Sequence, residues 1–410
     1  MPPSPFTAAE LARLRADTPA HGRYAHFAHG SASLPPRPVY EIIDAWYAAE
    51  RMHGMQRAAE AFEEELAAAR AAVAALIHAR AEHIVFSDAA SRAWALAFAA
   101  ACDGNEPLEV ICCEHEWGAN VINLLRARAQ GRLANLHVLA DDGAPWAEKI
   151  RDALRQTQAR TRVLVCLPAV AMIDGRLLDL QGVADAAHAR DALFFLDASH
   201  AVGQFPIDMA RIGCDALVFP ARKWLRGPKG AAVLALSERA LAALGAPPSL
   251  DIGSAQWDAS EAAAAHADAR RFELYEHAPA LRLGAAAAAT YATRLGLERI
   301  AAHNRTQRAA LRQRLRDECG LVTLSHAEGP AFLTYALSPT LPAERGPALI
   351  AELAAAGINA SLITPQYTRW ALEARGLTAL LRLTPHYITG EEEVERLVAA
   401  LREVERDAWK

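Results

Sequence analysis

From about residue 57 to 245, short apolar runs rich in branched residues alternate with longer Ala/Leu-rich stretches of helical period. The runs predict strands near Ile84–Phe86, Leu108–Cys113, Leu136–Leu139, Arg162–Leu167, Ala192–Asp197, Cys214–Phe219 and Ala231–Leu236. The stretches between them, such as Arg57–Ile77, Gly118–Gln130 and Asp179–Arg190, predict helices. Strands that are apolar on both faces belong in a parallel sheet covered by helices on both sides, so this region reads as an α/β domain. Past Ala278 a long Ala/Leu/Arg pattern predicts helix to about Asp317. Strands near Ala331–Leu337, Ile358–Leu362 and Leu380–Leu383 and an amphipathic final helix, Thr389–Asp407, follow. The expected fold class is α/β: a large domain with a mostly parallel seven-stranded sheet, plus a smaller C-terminal α+β domain. The expected division is residues 1–45 as an N-terminal segment packing with the small domain, 46–270 as the large domain and 271–410 as the small one. The Pro-rich Ser33–Pro38 and the acidic, Ala-rich Asp251–Asp268 read as connections.

Composition narrows the chemistry. A chain of 410 residues with net charge −5 lacks the clustered positive charge that nucleic acid or an anionic membrane requires, so a small molecule is the expected ligand. No apolar run approaches the roughly 18 to 20 residues of a membrane helix, and the first thirty residues lack a basic segment followed by an apolar one, so a cytoplasmic protein is expected. The six cysteines, Cys102, Cys112, Cys113, Cys166, Cys214 and Cys319, form no CxxC pair and no zinc spacing. They read as reduced, buried small hydrophobes, and no metal site is expected. Only Lys149, Lys223, Lys229 and Lys410 are lysines among the 43 basic residues, leaving 39 arginines. Arginine replaces lysine for most surface purposes but not where an amine of tunable pKa must form an imine, so a lysine kept in a Gly-rich apolar stretch is a catalytic candidate.

Two such strand ends carry an Asp and a Lys: Phe194-Phe195-Leu196-Asp197, and Phe219-Pro220-Ala221-Arg222-Lys223-Trp224-Leu225-Arg226-Gly227-Pro228-Lys229-Gly230. Ligands of open α/β sheets bind beyond the carboxyl ends of the strands. Pyridoxal phosphate (PLP) needs a lysine for its aldehyde and an acid against its ring nitrogen, and Asp197 and Lys223 supply that pair. Taken singly, Asp197 reads first as a helix cap and Lys223 first as a solvated loop residue.

Together the stretches Asp197-Ala198-Ser199-His200-Ala201-Val202-Gly203, Gly213-Cys214-Asp215 and Arg222-Lys223-Trp224-Leu225-Arg226-Gly227-Pro228-Lys229-Gly230 closely resemble the class V aminotransferase and cysteine desulfurase family. Its signature runs Asp-Gly-Ala-Gln-Ala-Val-Gly, Gly-Cys-Asp and His-Lys-Trp-Leu-x-Gly-Pro-x-Gly. The resemblance extends more weakly from about residue 24 to the C-terminus. It implies a fold-type I PLP enzyme whose large domain binds the cofactor, with Lys223 as the attachment lysine, Asp197 as the pyridinium partner and His200 in place of the Gln that faces the phenolic oxygen. Arg222 replaces the family's His, at a position that normally helps hold the phosphate.

Phe86-Ser87-Asp88-Ala89-Ala90-Ser91-Arg92-Ala93 sits where the family has Phe-Thr-x-Gly-Thr-Thr-Glu-Ala, a turn into a helix that binds phosphate through its N-terminal amides. The resemblance places Ala89, Ala90 and Ser91 there, with Ser91 keeping one hydroxyl; without it, the stretch is only a helix N-cap. Glu116-Trp117-Gly118-Ala119-Asn120 resembles Glu-His-x-Ser-Asn, so Trp117 would stack on the pyridine ring, with His115 a competing candidate. Leu381-Arg382-Leu383-Thr384-Pro385-His386-Tyr387-Ile388-Thr389 resembles Arg-x-Ser-x-His-x-Tyr-Asn-Thr, which makes Arg382 the binder of a substrate carboxylate; a structural salt bridge is its other reading. His29, Ser31 and Ser33 face the substrate by family position, while a turn before Pro35-Pro36 explains them as well. Ala269-Arg270-Arg271-Phe272-Glu273-Leu274-Tyr275-Glu276 resembles Arg-Phe-Glu-x-Gly-Thr, a loop that reaches the neighbouring subunit's phosphate, although the Gly-Thr is missing. The resemblance thus implies a homodimer with shared active sites.

Persulfide-forming desulfurases carry a thiol on the loop before the carboxylate-binding Arg, yet Gly357 to Gly376 contains no Cys. The family's His-Val-Ser-Asn-Val-Thr-Gly has become Ala169-Val170-Ala171-Met172-Ile173-Asp174-Gly175. What remains resembles the isopenicillin N epimerase-like and hercynylcysteine sulfoxide lyase-like branch. The expected activity is a carbon–sulfur β-lyase acting on a cysteine derivative, with an amino-acid epimerase or class V aminotransferase as alternatives. A binding protein that has lost turnover is an alternative of another class. The missing GxGxxG after the first strand, where Phe86-Ser87-Asp88-Ala89-Ala90-Ser91 stands instead, argues against a nicotinamide-dependent Rossmann enzyme.

Overall fold

The computed structural model describes residues 5–104, 106–259, 262–326, 329–338, 340, 342, 344–404 and 408–409. The seven apolar runs form one sheet: β1 (Ile84–Ser87), β2 (Leu108–Cys113), β3 (Leu133–Leu139), β4 (Arg162–Pro168), β5 (Leu193–Asp197), β6 (Ala216–Pro220) and β7 (Ala232–Leu236), in the order β1-β7-β6-β5-β4-β2-β3. Only β7 runs antiparallel to its neighbours. Alternate residues feed two hydrophobic layers: Val163, Val165 and Leu167 face one, Leu164 and Cys166 the other. Each fully buried Val, Leu or Phe contributes about 1.5–3 kcal/mol, so this two-sided burial fixes the register.

A second, antiparallel sheet of β8 (Leu333–Ala336), β9 (Ser361–Ile363) and β10 (Leu380–Leu383) has β10 in the middle. Its core includes Ala25 and Phe27 of the N-terminal segment, whose Ala25–His26 pairs in parallel with Ile358–Asn359.

Several elements differ from the sequence expectation. The stretch from Ala278 to Asp317 is two helices, Pro279–Leu295 and Leu297–Cys319, separated by Gly296 at φ +83°. Arg57–Ile77 likewise breaks at Phe62, and Asp179–Arg190 shortens to Val183–His188. The Pro-rich segment leads directly into an unexpected helix, Arg37–His53, with Pro38 in its first turn, where a missing N–H costs nothing. The packing does not change at residue 271: Pro279–Leu295 lies on Arg37–His53 and Glu63–Ile77 within the large core. Leu297–Cys319 spans the two cores, with Ile300 in one and Leu311 and Leu315 in the other. The final helix is described as Glu391–Arg402; the expected end at Asp407 lies outside the described residues.

Candidate active site

The carboxyl ends of β1, β2, β4, β5 and β6 converge on a cavity of about 310 Å³ lined by Asp88 to Ser91, His115, Trp117, Asn120, Met172, Asp197, His200, Arg222, Lys223 and Lys229. A second cavity of about 580 Å³ adjoins it and shares Trp117, Met172, His200, Arg222 and Lys223. Its far wall holds Ser31, Ser361, Tyr367 and Arg382. The site therefore lies between the two sheets, with Lys223 at their junction.

Close approach of two loops explains the Asp-to-Gly motif. Gly203 has φ +96°, and a Cβ there would stand 2.3 Å from the Leu225 amide nitrogen. The turn after Asp197 thus rests on the Lys223 loop. Arg226 clamps that loop from behind: Nε donates to the Leu34 carbonyl at 2.8 Å, and Nη1 and Nη2 to the Tyr387 and Thr18 hydroxyls at 2.5 and 2.6 Å. The lysine is consequently presented on a fixed backbone.

Lys223 is 8% exposed. Burial, and next the Arg222 and Arg382 charges, lower its pKa to about 7, against the pull of Asp197. A buried amine near neutrality is a nucleophile and base at working pH. His200 Nε2 lies 3.2 Å from Lys223 Nζ, and the Trp224 indole N–H donates to His200 Nδ1 at 3.3 Å. Because an indole only donates, Nδ1 must accept, and the ring proton sits on Nε2, facing the cavity. Burial and the charges of Lys223, Arg382 and Arg222 hold this imidazole's pKa well below its usual value, so it is a neutral donor.

Asp197 closes β5, its Oδ1 accepting from the Ser199 amide at 2.9 Å. Asn120 donates to Glu116 Oε1 at 2.7 Å and lies 3.4 Å from Asp197 Oδ2. Burial pushes Glu116 up to about 7. Trp117 stacks on Tyr367, centroids 5.5 Å apart at 15°, and Lys223 Nζ is 5.5 Å from its centroid. The helix carrying Tyr367, Pro365–Ala374, closes so tightly here that a Cβ on Gly118 would stand 2.1 Å from the Gln366 carbonyl oxygen.

At one end of the cavity, the helix Ala90–Ala101 starts without a side-chain cap, which leaves the first-turn amides facing the space lined by Ala89, Ala90 and Ser91. At the other end, Arg382 on β10 is 3% exposed and has no carboxylate in ion-pair range among the described residues. Its Nη2 donates to Ser31 Oγ at 2.8 Å, its Nη1 lies 3.0 Å from Met172 Sδ, and its Nε has no partner. A buried guanidinium so placed calls for an anionic ligand.

The model of the family "Aminotransferase class-V" matches residues 26–397. The chain belongs to this family. It is 27% identical over 391 residues to a probable cysteine desulfurase of Mycolicibacterium paratuberculosis, covering 92% of this chain but 55% of that protein. The chain thus spans little more than half the length of that relative. Its fold is similar to the apo cysteine desulfurase of Thermococcus onnurineus NA1, with TM-score 0.83 at 20% identity over 98% of this chain and 99% of the other. It is also similar to the cystine C-S lyase C-DES, with TM-score 0.81 at 20% identity over 95% and 99%, in a mutant with glycine covalently linked to its PLP cofactor. This class-V chain is therefore a PLP-dependent enzyme of fold type I.

The residues present fit PLP: a buried near-neutral amine, a carboxylate across the cavity, uncapped amides at a helix start and an unmatched guanidinium. Lys223, Asp197, His200, Trp117, Ser91, Ala89, Ala90 and Arg222 all line the one cavity, and Ser31 and Arg382 line its extension. His29 is not on either wall; it is buried, with Nδ1 2.6 Å from Ser33 Oγ and its ring edge-on to His26 and His386. The expected substrate-facing position of His29 is therefore not what the structure has: Ser33 and the neighbouring histidine rings hold it off the cavity wall. Arg222 does not turn toward the helix start: its Nη1 donates to the Ser31 carbonyl. His115 lines the cavity too, but its Nε2 bonds Asp141 at 2.7 Å, leaving the ring face to Trp117. Sequence reasoning missed Asn120, Met172, Ser361 and Tyr367. Asn120 had a signal, lying one helical turn after Glu116 within a quoted motif; Tyr367 had none, since nothing in its segment announces a stacking partner.

Proposed function

We propose that this PLP enzyme is a carbon–sulfur β-lyase acting on a cysteine derivative. The observation that carries the reading is the thiol-free site: among the described residues no cysteine lines either cavity, and Tyr367 occupies the segment between Gly357 and Gly376. Buried Cys112, Cys113, Cys166 and Cys214 have thiols pushed up by burial, which suits packing and not sulfur transfer. When bound, PLP supplies an electron sink for the substrate α-carbon. Arg382 would hold the α-carboxylate, and with PLP bound Asp197 and His200 Nε2–H would be the groups that hold the cofactor's ring nitrogen and ring oxygen. Lys223 takes the α-proton as general base; the Cα–Cβ double bond forms as the Cβ–S bond breaks, the pair leaving on sulfur. Addition of water completes the balance as thiol, pyruvate and ammonia. An epimerase would need a second proton carrier on the side where Trp117 presents an apolar ring, which favours the lyase over the epimerase.

The same reading includes a homodimer. Exposed Tyr47, Met52, Met55, Ile252, Trp257 and Tyr275 give the large domain the apolar surface such an interface needs. It also includes a cytoplasmic setting, which the six free cysteines suit. No helix among the described residues is long and apolar enough to cross a membrane. The test is to supply purified holoenzyme with S-substituted L-cysteines and quantify thiol and pyruvate. Equimolar release is expected; a 2-oxo acid that retains sulfur would favour transamination, and no turnover of any amino acid would sink the enzyme reading.

A further inference from the structure

Ser31 is held by two guanidiniums at once. Its hydroxyl accepts from Arg382 Nη2 at 2.8 Å and its carbonyl oxygen from Arg222 Nη1. Ser361 Oγ fixes the hydroxyl from the other side at 2.8 Å. No acid stands between the two arginines, and neither has an ion-pair partner among the described residues. Asp197 is the site's inner carboxylate, while Asp88 is taken up by Arg92 at 3.2 Å. Arg222 and Arg382 thus converge on one space whose described lining holds no carboxylate. The unpartnered Nε of Arg382 is the second sign that this charge is matched only when a ligand arrives.

One α-carboxylate fills one fork. We infer that the substrate carries a second anionic group, a carboxylate or oxidised sulfur acid at the end of its side chain, and that Arg222 receives it while Arg382 holds the α-carboxylate. This rests on the lyase reading and narrows its substrate class. Leu362, Ile363 and Met172 border the path between the forks and suit a short aliphatic or thioether linker.

The test compares L-2-aminoadipate with L-norleucine, chains of matched length that differ in the terminal charge and lack a β-leaving group. Binding to holoenzyme is read by calorimetry, with cofactor content read separately by absorbance. Wild type is expected to bind the dicarboxylate at least about 30-fold more tightly, and Arg222→Gln to bring the ratio near one with cofactor content unchanged. Arg222→Lys, which keeps the charge, should hold part of the preference and serves if the Gln variant does not fold. Loss of cofactor from Arg222→Gln, or equal weakening of both ligands, would assign the guanidinium to the phosphate and overturn the inference. Equal turnover of S-ethyl- and S-carboxymethyl-L-cysteine would also overturn it while leaving the lyase standing; no pyruvate from either would fail the lyase reading itself.

Discussion

The two ends of the cofactor cavity are built differently. At the ring end, Asp197, His200, Lys223 and Trp224 are fixed by hydrogen bonds and by the Gly203–Leu225 approach, with His200, Lys223 and Trp224 buried and Asp197 half-buried. At the helix start, Ala89 and Ala90 contribute only backbone, Ser91 is the one hydroxyl, and Lys229 is exposed. Groups that must hold a protonation state need burial and specific partners. A doubly charged oxygen cluster can be held by amides that any sequence supplies. Substitutions should therefore be severe at the ring end and mild at the helix start.

The largest contrast is Lys223→Ala, for which turnover should fall by at least about 10²–10⁴-fold, because both the covalent anchor and the base are removed. Asp197→Ala should follow, with a loss on the order of 10²–10³-fold in kcat, since the charge that keeps the ring nitrogen protonated disappears. The pH dependence separates the ends as well. Lys223 is protonated below about 7 and free above it. Stopped-flow capture of PLP by apoenzyme should thus rise with pH through that value and level off; a rate flat between pH 6 and 8 would contradict the buried near-neutral amine. Arg382→Ala should cost about 2–5 kcal/mol in kcat/KM while leaving PLP uptake intact. Ser91→Ala should be smallest, about 0.5–1.5 kcal/mol in PLP affinity by equilibrium titration. A larger loss at Ser91 than at Asp197 would reverse the comparison.

The sheet was legible because six of its seven strands are largely buried on both faces and spell apolar runs, while the edge strand Leu133–Leu139, mostly exposed or half-buried, was read only in its last four residues. Helix ends were less so: Gly296 divides one periodic pattern into two helices that serve different cores, and periodicity is blind to that change of partner. At the site, Lys223 and Asp197 could be read from type and spacing because the chemistry permits few substitutes. Arg222 and His29 could not be aimed from sequence. Arg222 is turned by the Ser31 carbonyl, and His29 is drawn behind the wall by Ser33, contacts made across long stretches of chain or within a turn. Tyr367 lies at the site because Gly118 lets its helix close, a coupling between distant segments that leaves no local pattern.

The most direct measurement is borohydride reduction of the PLP-loaded enzyme followed by peptide mapping. Two lysines, Lys223 and Lys229, line the same cavity. The account predicts the reduced pyridoxyl group on Lys223 and a Lys229→Arg variant labelled as fully as wild type. A label on Lys229, or none on either, would contradict it.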